Sequence, residues 1–209
     1  MIAVIDYGVG NLYSLKSSFD SIGAKITVTG DEKEIRKASK IVLPGVGAFK
    51  DAAFKLKECG LDKVIKEEAN SGKPLLGICL GMQLLFEKSY EYGIHEGLAL
   101  IPGSIKPMAG VIPPELKIPH IGWNALHFPK GKGKSPIFKY VNEGECVYFV
   151  HSYYAANCDD YIFATAEYGE EITAEVQNKN IFGCQFHPEK SGETGLKILK
   201  AFCELGDLL

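Results

Sequence analysis

Cys79 is set in Gly77-Ile78-Cys79-Leu80-Gly81, a nucleophilic side chain with a glycine two positions to either side. The apolar run before it, Lys73-Pro74-Leu75-Leu76-Gly77-Ile78, reads as a buried strand. Met82-Gln83-Leu84-Leu85-Phe86-Glu87 after it reads as the first turns of a helix. A reactive residue on a tight strand-to-helix turn is the pattern of a nucleophile elbow. The corner leaves no room for side chains at the flanking positions, hence the glycines, and it turns the central side chain out of the sheet. A sulfur at the start of a helix is favoured as thiolate. A thiolate needs a base, and the base needs an orienter. Phe186-His187-Pro188-Glu189-Lys190 contains both. Pro188 disfavours helix at His187, so an extended segment is expected, with His187 and Glu189 on one side. Glu189 then bonds one ring nitrogen and leaves the other for Cys79. Phe182, Cys184 and Phe186 fall on the opposite, apolar side.

Thiolate attack on a carbonyl also needs donors for the oxyanion. The Leu80 N–H, directly after the nucleophile, is one. Pro44-Gly45-Val46-Gly47, at the end of another apolar run, is the expected source of a second, because its glycines let backbone approach closely.

The elements that must hold these groups alternate through the first half. Ile2–Ile5, Lys25–Val28 and Lys40–Leu43 read as strands. Helices are expected over Asn11–Ile22, from Asp31 as cap through Lys37, and over about Phe49–Ser71 with a break at Gly60. That alternation argues for a parallel sheet with helices on both faces. From Leu98 to Gln185 the chain turns to β-branched and aromatic residues with frequent turn signals. Strands are expected around Ile105 and over 118–123, Cys146–Val150, Ile162–Thr165, Thr173–Val176 and Ile181–Phe186, with Asn178-Lys179-Asn180 as a hairpin turn. A last helix runs from about Glu193 to Cys203. Pro129–Lys134 is the least structured stretch. Gly8-Val9-Gly10-Asn11-Leu12-Tyr13 is not a dinucleotide fingerprint, because Tyr13 replaces the third glycine. Gly133-Lys134-Ser135 lacks the frame of a phosphate loop.

Composition narrows the function. The chain has 209 residues, enough for one domain with a proper core, and a net charge of −3, which argues against a nucleic-acid partner. No apolar stretch approaches the roughly 20 residues of a membrane span. The first residues show no basic region or cleavage site of a signal peptide. The six cysteines are scattered without C-x-x-C pairs, so disulfides and metal are not expected and a cytoplasmic setting is.

Gly77-Ile78-Cys79-Leu80-Gly81-Met82-Gln83, with Pro44–Gly47 upstream and His187-Pro188-Glu189-Lys190-Ser191 downstream, resembles the class I glutamine amidotransferases over essentially the whole chain. Asp6–Asn11, Pro119–Asn124 and Phe149–Tyr153 are similar to one subfamily, the glutaminase subunits of imidazole glycerol phosphate synthase in histidine biosynthesis. Most of the wider class has Pro-Gly-Gly in the oxyanion loop; Val46 departs from that pattern and matches the subfamily.

The resemblance implies an α/β fold in one domain over residues 1–209, with a mostly parallel central sheet flanked by helices and additional antiparallel strands in the second half. It implies that Cys79 attacks the side-chain amide of L-glutamine, ammonia leaves, and water hydrolyses the glutamyl thioester. His187 is then base and acid, Glu189 the orienter, and the amides of Val46 and Leu80 the oxyanion donors. Gly47, Gln83, Glu91, Ser152 and Tyr153 match substrate-binding positions. No cofactor is implied. The implied partner is a (β/α)₈ cyclase subunit, which uses the ammonia to make imidazole glycerol phosphate and an aminoimidazole carboxamide ribotide. A barrel of about 250 residues does not fit in this chain as well, so a heterodimer is expected. Tyr7, Asn11, His120, Trp123 and Lys190 are candidates for its face. The competing readings are the same chemistry feeding another synthase, as in sugar amidation, a non-catalytic regulatory paralogue, and a cysteine protease or acylase on a similar scaffold.

Overall fold

The computed structural model describes residues 1–206; the last three positions of the expected 1–209 domain lie outside the described residues. The first half alternates as its pattern predicts: β1 (Ile2–Ile5), α1 (Leu12–Ser21), β2 (Ile26–Thr29), α2 (Glu32–Lys37), β3 (Lys40–Leu43), α3 (Phe49–Glu58), α4 (Leu61–Asn70) and β4 (Leu75–Ile78). Local chemistry sets the boundaries. Asp31 Oδ1 accepts from the N–H groups of Lys33 and Glu34, capping α2. Gly60, at φ +70, separates α3 from α4.

After Cys79 the helix is shorter than its sequence suggests. α5 spans only Leu80–Leu84, and Phe86–Ser89 is a strand, β5. The carbonyls that would continue the helix are taken from outside it. Leu98 N–H donates to Leu84 O, Leu100 and Ile101 to Leu85 O, and Ala99 to Phe86 O. Then follow β6 (His95–Glu96), β7 (Ile101–Pro107), β8 (His120–Ala125), β9 (Cys146–His151), β10 (Tyr153–Ala156), β11 (Ile162–Glu167), β12 (Glu171–Asn178), β13 (Ile181–Cys184) and α6 (Gly192–Cys203). β5, β6 and β10 were not expected from the sequence pattern. Together with β7 they form a separate sheet, in the order β10-β7-β5-β6, while β8 and β9 pair antiparallel.

The main sheet runs β11-β12-β13-β4-β3-β1-β2. From β13 to β2 every pairing is parallel, and the β11-β12-β13 edge is antiparallel. Both faces are covered. β1 sends Ala3 and Ile5 into one apolar cluster and Ile2 and Val4 into the other; Leu75 and Leu76 of β4 divide the same way. Strands buried on both faces explain the unbroken apolar runs of the first half. The same arrangement brings β4 beside β13, and with them Cys79 beside the segment that carries His187.

Candidate active site

The elbow is built by close contact. A Cβ on Gly77 would come within 2.8 Å of the Met82 backbone, and one on Gly81 would overlap Leu43 O. Cys79 sits at φ +54, ψ −113, in backbone space that few non-glycine residues occupy. Its N–H donates to Cys184 O at 2.7 Å, which ties the elbow to the end of β13. α5 has five residues, so its dipole is a short one. The stronger electrostatic partner for the sulfur is the imidazole.

His187 is buried, with Nδ1 2.8 Å from Glu189 Oε1. The expected pairing is present, but the backbone route differs. Only His187 is extended; Pro188–Lys190 form a 3-10 turn. Proline fits the first position of such a turn, and Ser191 closes it by donating its hydroxyl to His187 O at 2.6 Å. Glu189 therefore reaches the ring by curling back, not by strand alternation. Burial lowers the pKa of His187, but hydrogen bonds to Cys79 and Glu189, with their charges, outweigh it and raise it to about 9. That favours an imidazolium beside the sulfur.

Gln185 completes the surroundings of the thiol. Its Nε2 lies 3.8 Å from Cys79 Sγ, and its Oε1 accepts from Gln83 Nε2 at 3.0 Å. Gln83 also donates toward Tyr153 O at 3.4 Å, and that carbonyl is bonded by His151 Nδ1 at 2.8 Å. His151 Nε2 meets His120 Nδ1 at 3.0 Å, and His120 Nε2 meets Asn124 Oδ1 at 2.7 Å. A string of polar groups thus runs from β8 to the nucleophile. Burial keeps the pKa of both histidines low, with His151 at about 4.

A cavity of about 470 Å³ opens above Cys79 and His187. Val46, Gly47, Leu80, Gln83, Glu91, Ser152 and Tyr153 all line it, so the structure gathers the expected oxyanion and substrate positions around the thiol. Gly45 carries the Pro44–Gly47 loop tightly past the elbow, where a Cβ would lie 2.8 Å from Gly81 N. Gly47 adopts φ +95. Tyr7 Oη donates to Pro44 O at 2.9 Å and fastens the loop. Glu91 Oε2 accepts from Phe49 N–H at 2.5 Å, at the start of α3. Tyr92, Ile118, Pro119, Val150 and His151 line the cavity too; none was expected as a site residue, although Pro119, Val150 and His151 fall within the stretches that resemble the subfamily. A glutamine in the otherwise apolar run Ile181–Phe186 was the one signal that marked Gln185. Among the described residues no group of His, Cys, Asp and Glu is placed to hold a metal ion.

The five interface candidates separate. Tyr7 and His120 are 4 % and 1 % exposed, so neither presents a side chain to a partner; both support neighbouring backbone and rings instead. Asn11 is half-buried and caps α1 through Ser14 N–H. Trp123 is 55 % exposed and stands edge-on to Tyr148, with Lys190 Nζ 5.8 Å from the same tyrosine ring.

The family model "Glutamine amidotransferase class-I" matches residues 3–205. The chain is 50 % identical over 206 residues to "Imidazole glycerol phosphate synthase subunit HisH" of Caldanaerobacter subterraneus subsp. tengcongensis, covering 98 % of each. It is also 50 % identical to the protein of that name from Oceanobacillus iheyensis, covering 98 % of this chain and 99 % of the relative. A solved glutamine amidotransferase superposes with a TM-score of 0.76 at 14 % identity, covering 98 % of each chain. A chain of PurLQS from Thermotoga maritima superposes with a TM-score of 0.75 at 20 % identity, covering 100 % of this chain and 98 % of that one. At those identities the two structures speak for the fold alone.

Proposed function

We propose, from the premise that the chain belongs to the class I glutamine amidotransferases, that it is the glutaminase subunit of an imidazole glycerol phosphate synthase in histidine biosynthesis. One observation carries the reading of the site: a thiol at a strained elbow, an imidazole held by a buried carboxylate, and the loop Pro44–Gly47 all meet at one cavity. Cys79 thiolate attacks the side-chain amide carbon of L-glutamine. The oxyanion is held by the N–H groups of Leu80 and Val46. His187 imidazolium gives its proton to the departing nitrogen, and ammonia leaves. His187, now neutral, takes a proton from water as it attacks the thioester, and glutamate is released. Glu189 fixes the ring and stabilises its charge through both steps. Glu91 receives the substrate's α-ammonium, and Gly47, Gln83, Ser152 and Tyr153 shape the rest of its seat.

The ammonia goes to a cyclase subunit, a separate chain. Ile118, which lines the cavity, and Ile121 and Trp123, three and five residues beyond it in β8, are all exposed. A run of exposed apolar residues that begins at the cavity suits a partner that covers it. Trp123, Lys190 and Asn11 are the side chains we place on that face. We read residues 1–209 as one glutaminase domain working in the reducing cytoplasm; among the described residues no helix is long and apolar enough to cross a membrane.

The test is synthesis of imidazole glycerol phosphate by this chain mixed with the cyclase subunit and its ribulosyl substrate. Glutamine should support it, and Cys79→Ser should abolish glutamine-dependent but not ammonium-dependent synthesis. Glutamine hydrolysis that feeds another synthase, and not this one, would overturn the pathway assignment.

A further inference from the structure

Tyr92 has no part in the core, being 90 % exposed. Its backbone is nevertheless held at φ +52, a conformation that L side chains rarely adopt, and Gly93 follows at φ +134. The turn is fastened on the side of its neighbour: Glu91 takes the Phe49 N–H on its carboxylate and gives its own N–H to Ser89 Oγ at 3.2 Å. Tyr92 lines the same cavity as Cys79, His187 and Glu91. Its ring stands edge-on to Tyr153, with centroids 6.4 Å apart. A strained, solvent-exposed aromatic beside a carboxylate at a cavity mouth is arranged toward the cavity.

We propose that Tyr92 is a positioning residue for the amino-acid end of the substrate, its ring covering the α-ammonium that Glu91 pairs with. This rests on the reading of the cavity as the glutamine site and deepens it. A carboxylate supplies charge but leaves the rest of an ammonium in water. An aromatic face on another side supplies its π-electrons and removes that water. Tyr153, edge-on to Tyr92, sets the orientation of the ring. The pair also separates glutamine from amides of similar length that lack the α-ammonium.

The experiment compares wild type, Tyr92→Ala and Tyr92→Phe with two substrates, L-glutamine and glutaramate, the same amide without the α-amino group. Tyr92→Ala should raise KM for glutamine about tenfold and leave kcat within about twofold, the mark of lost ground-state binding. Its KM for glutaramate should not change. Tyr92→Phe should keep most of the affinity, because the ring remains. Unchanged thermal unfolding of both variants shows that the fold is intact. A KM for glutamine unaffected by Tyr92→Ala overturns the proposal while leaving the glutamine site standing. So does a parallel rise for glutaramate, which would mean that the residue only holds the loop. Failure of the wild type to hydrolyse glutamine, alone and with the cyclase subunit, overturns the proposal together with the site reading it rests on.

Discussion

Cys79 is held in place from both sides, by its own N–H on Cys184 O and by glycines whose neighbours leave no room for a β-carbon. Cys79→Ser fits the same space, so its unfolding temperature should match the wild type while glutamine hydrolysis falls to background, since a serine hydroxyl forms no thiolate at neutral pH. His187 must be protonated when the nitrogen leaves. With its pKa raised to about 9, kcat/KM should decline as pH rises through that value, because the acid is lost. Glu189→Gln keeps an acceptor for the ring but removes the charge that stabilises imidazolium. A pH profile should therefore show its alkaline limb shifted to lower pH, with a kcat loss smaller than that of His187→Ala. These residues are legible in the sequence because their partners are encoded locally: glycines at fixed spacing about the thiol, and a carboxylate two residues from the histidine. Gln185, His151 and Tyr92 were not. Gln185 and Tyr92 meet their partners far off in the chain, and His151, though it bonds the nearby Tyr153 carbonyl, meets its other partner, His120, on another strand, so no local spacing marks them.

At the scale of elements, the loop Pro44–Gly47 is clamped rather than free. A methyl at Gly45 would be thrust against Gly81 N, Leu80 Cβ and Tyr7 Oη. Gly45→Ala should destabilise the fold by about 1–3 kcal/mol, measured by chemical denaturation, and should lower kcat by displacing Val46. β12 carries a second constraint. Glu175 is fully buried beneath the sheet, with Oε1 accepting from Ser135 Oγ at 2.9 Å. Burial pushes its pKa up to about 8, against the lowering effects of Ser135 and Lys132. A carboxyl whose folded pKa lies above its unfolded value contributes stability below about 4.5 and loses it as pH rises through 8. Unfolding temperatures of wild type and Glu175→Gln should therefore diverge as pH rises from about 4.5 to 8 and keep a constant gap above it, the variant being the more stable there. The alternating first half was readable as elements because each helix and strand carries its own periodicity and cap. β5 was not, because the helix before it is ended by N–H groups from residues 98–101. No pattern within Phe86–Ser89 records that competition.

The whole molecule joins the two halves of its chemistry through adjacent strands, β4 leading to Cys79 and β13 leading to His187. The partner face we propose centres on the β8–β9 pair, where Trp123 and Tyr148 stand together and Lys190 reaches the same tyrosine ring. Trp123→Ala should weaken the complex with the cyclase subunit about tenfold or more, as read by titration calorimetry, because a large exposed aromatic is the type of residue on which such affinity concentrates. The strand order has a further consequence, for a chain still on the ribosome. β4 is made early, yet its neighbour on one side, β13, is among the last segments to emerge. Until then one edge of β4 stays open, a long-range pairing that local folding does not supply. Over most of its synthesis the growing polypeptide therefore carries the cysteine without the imidazole that activates it. Completion of the sheet and arming of the nucleophile are one event, and a chain that stops short of β13 is left unreactive as well as incompletely folded.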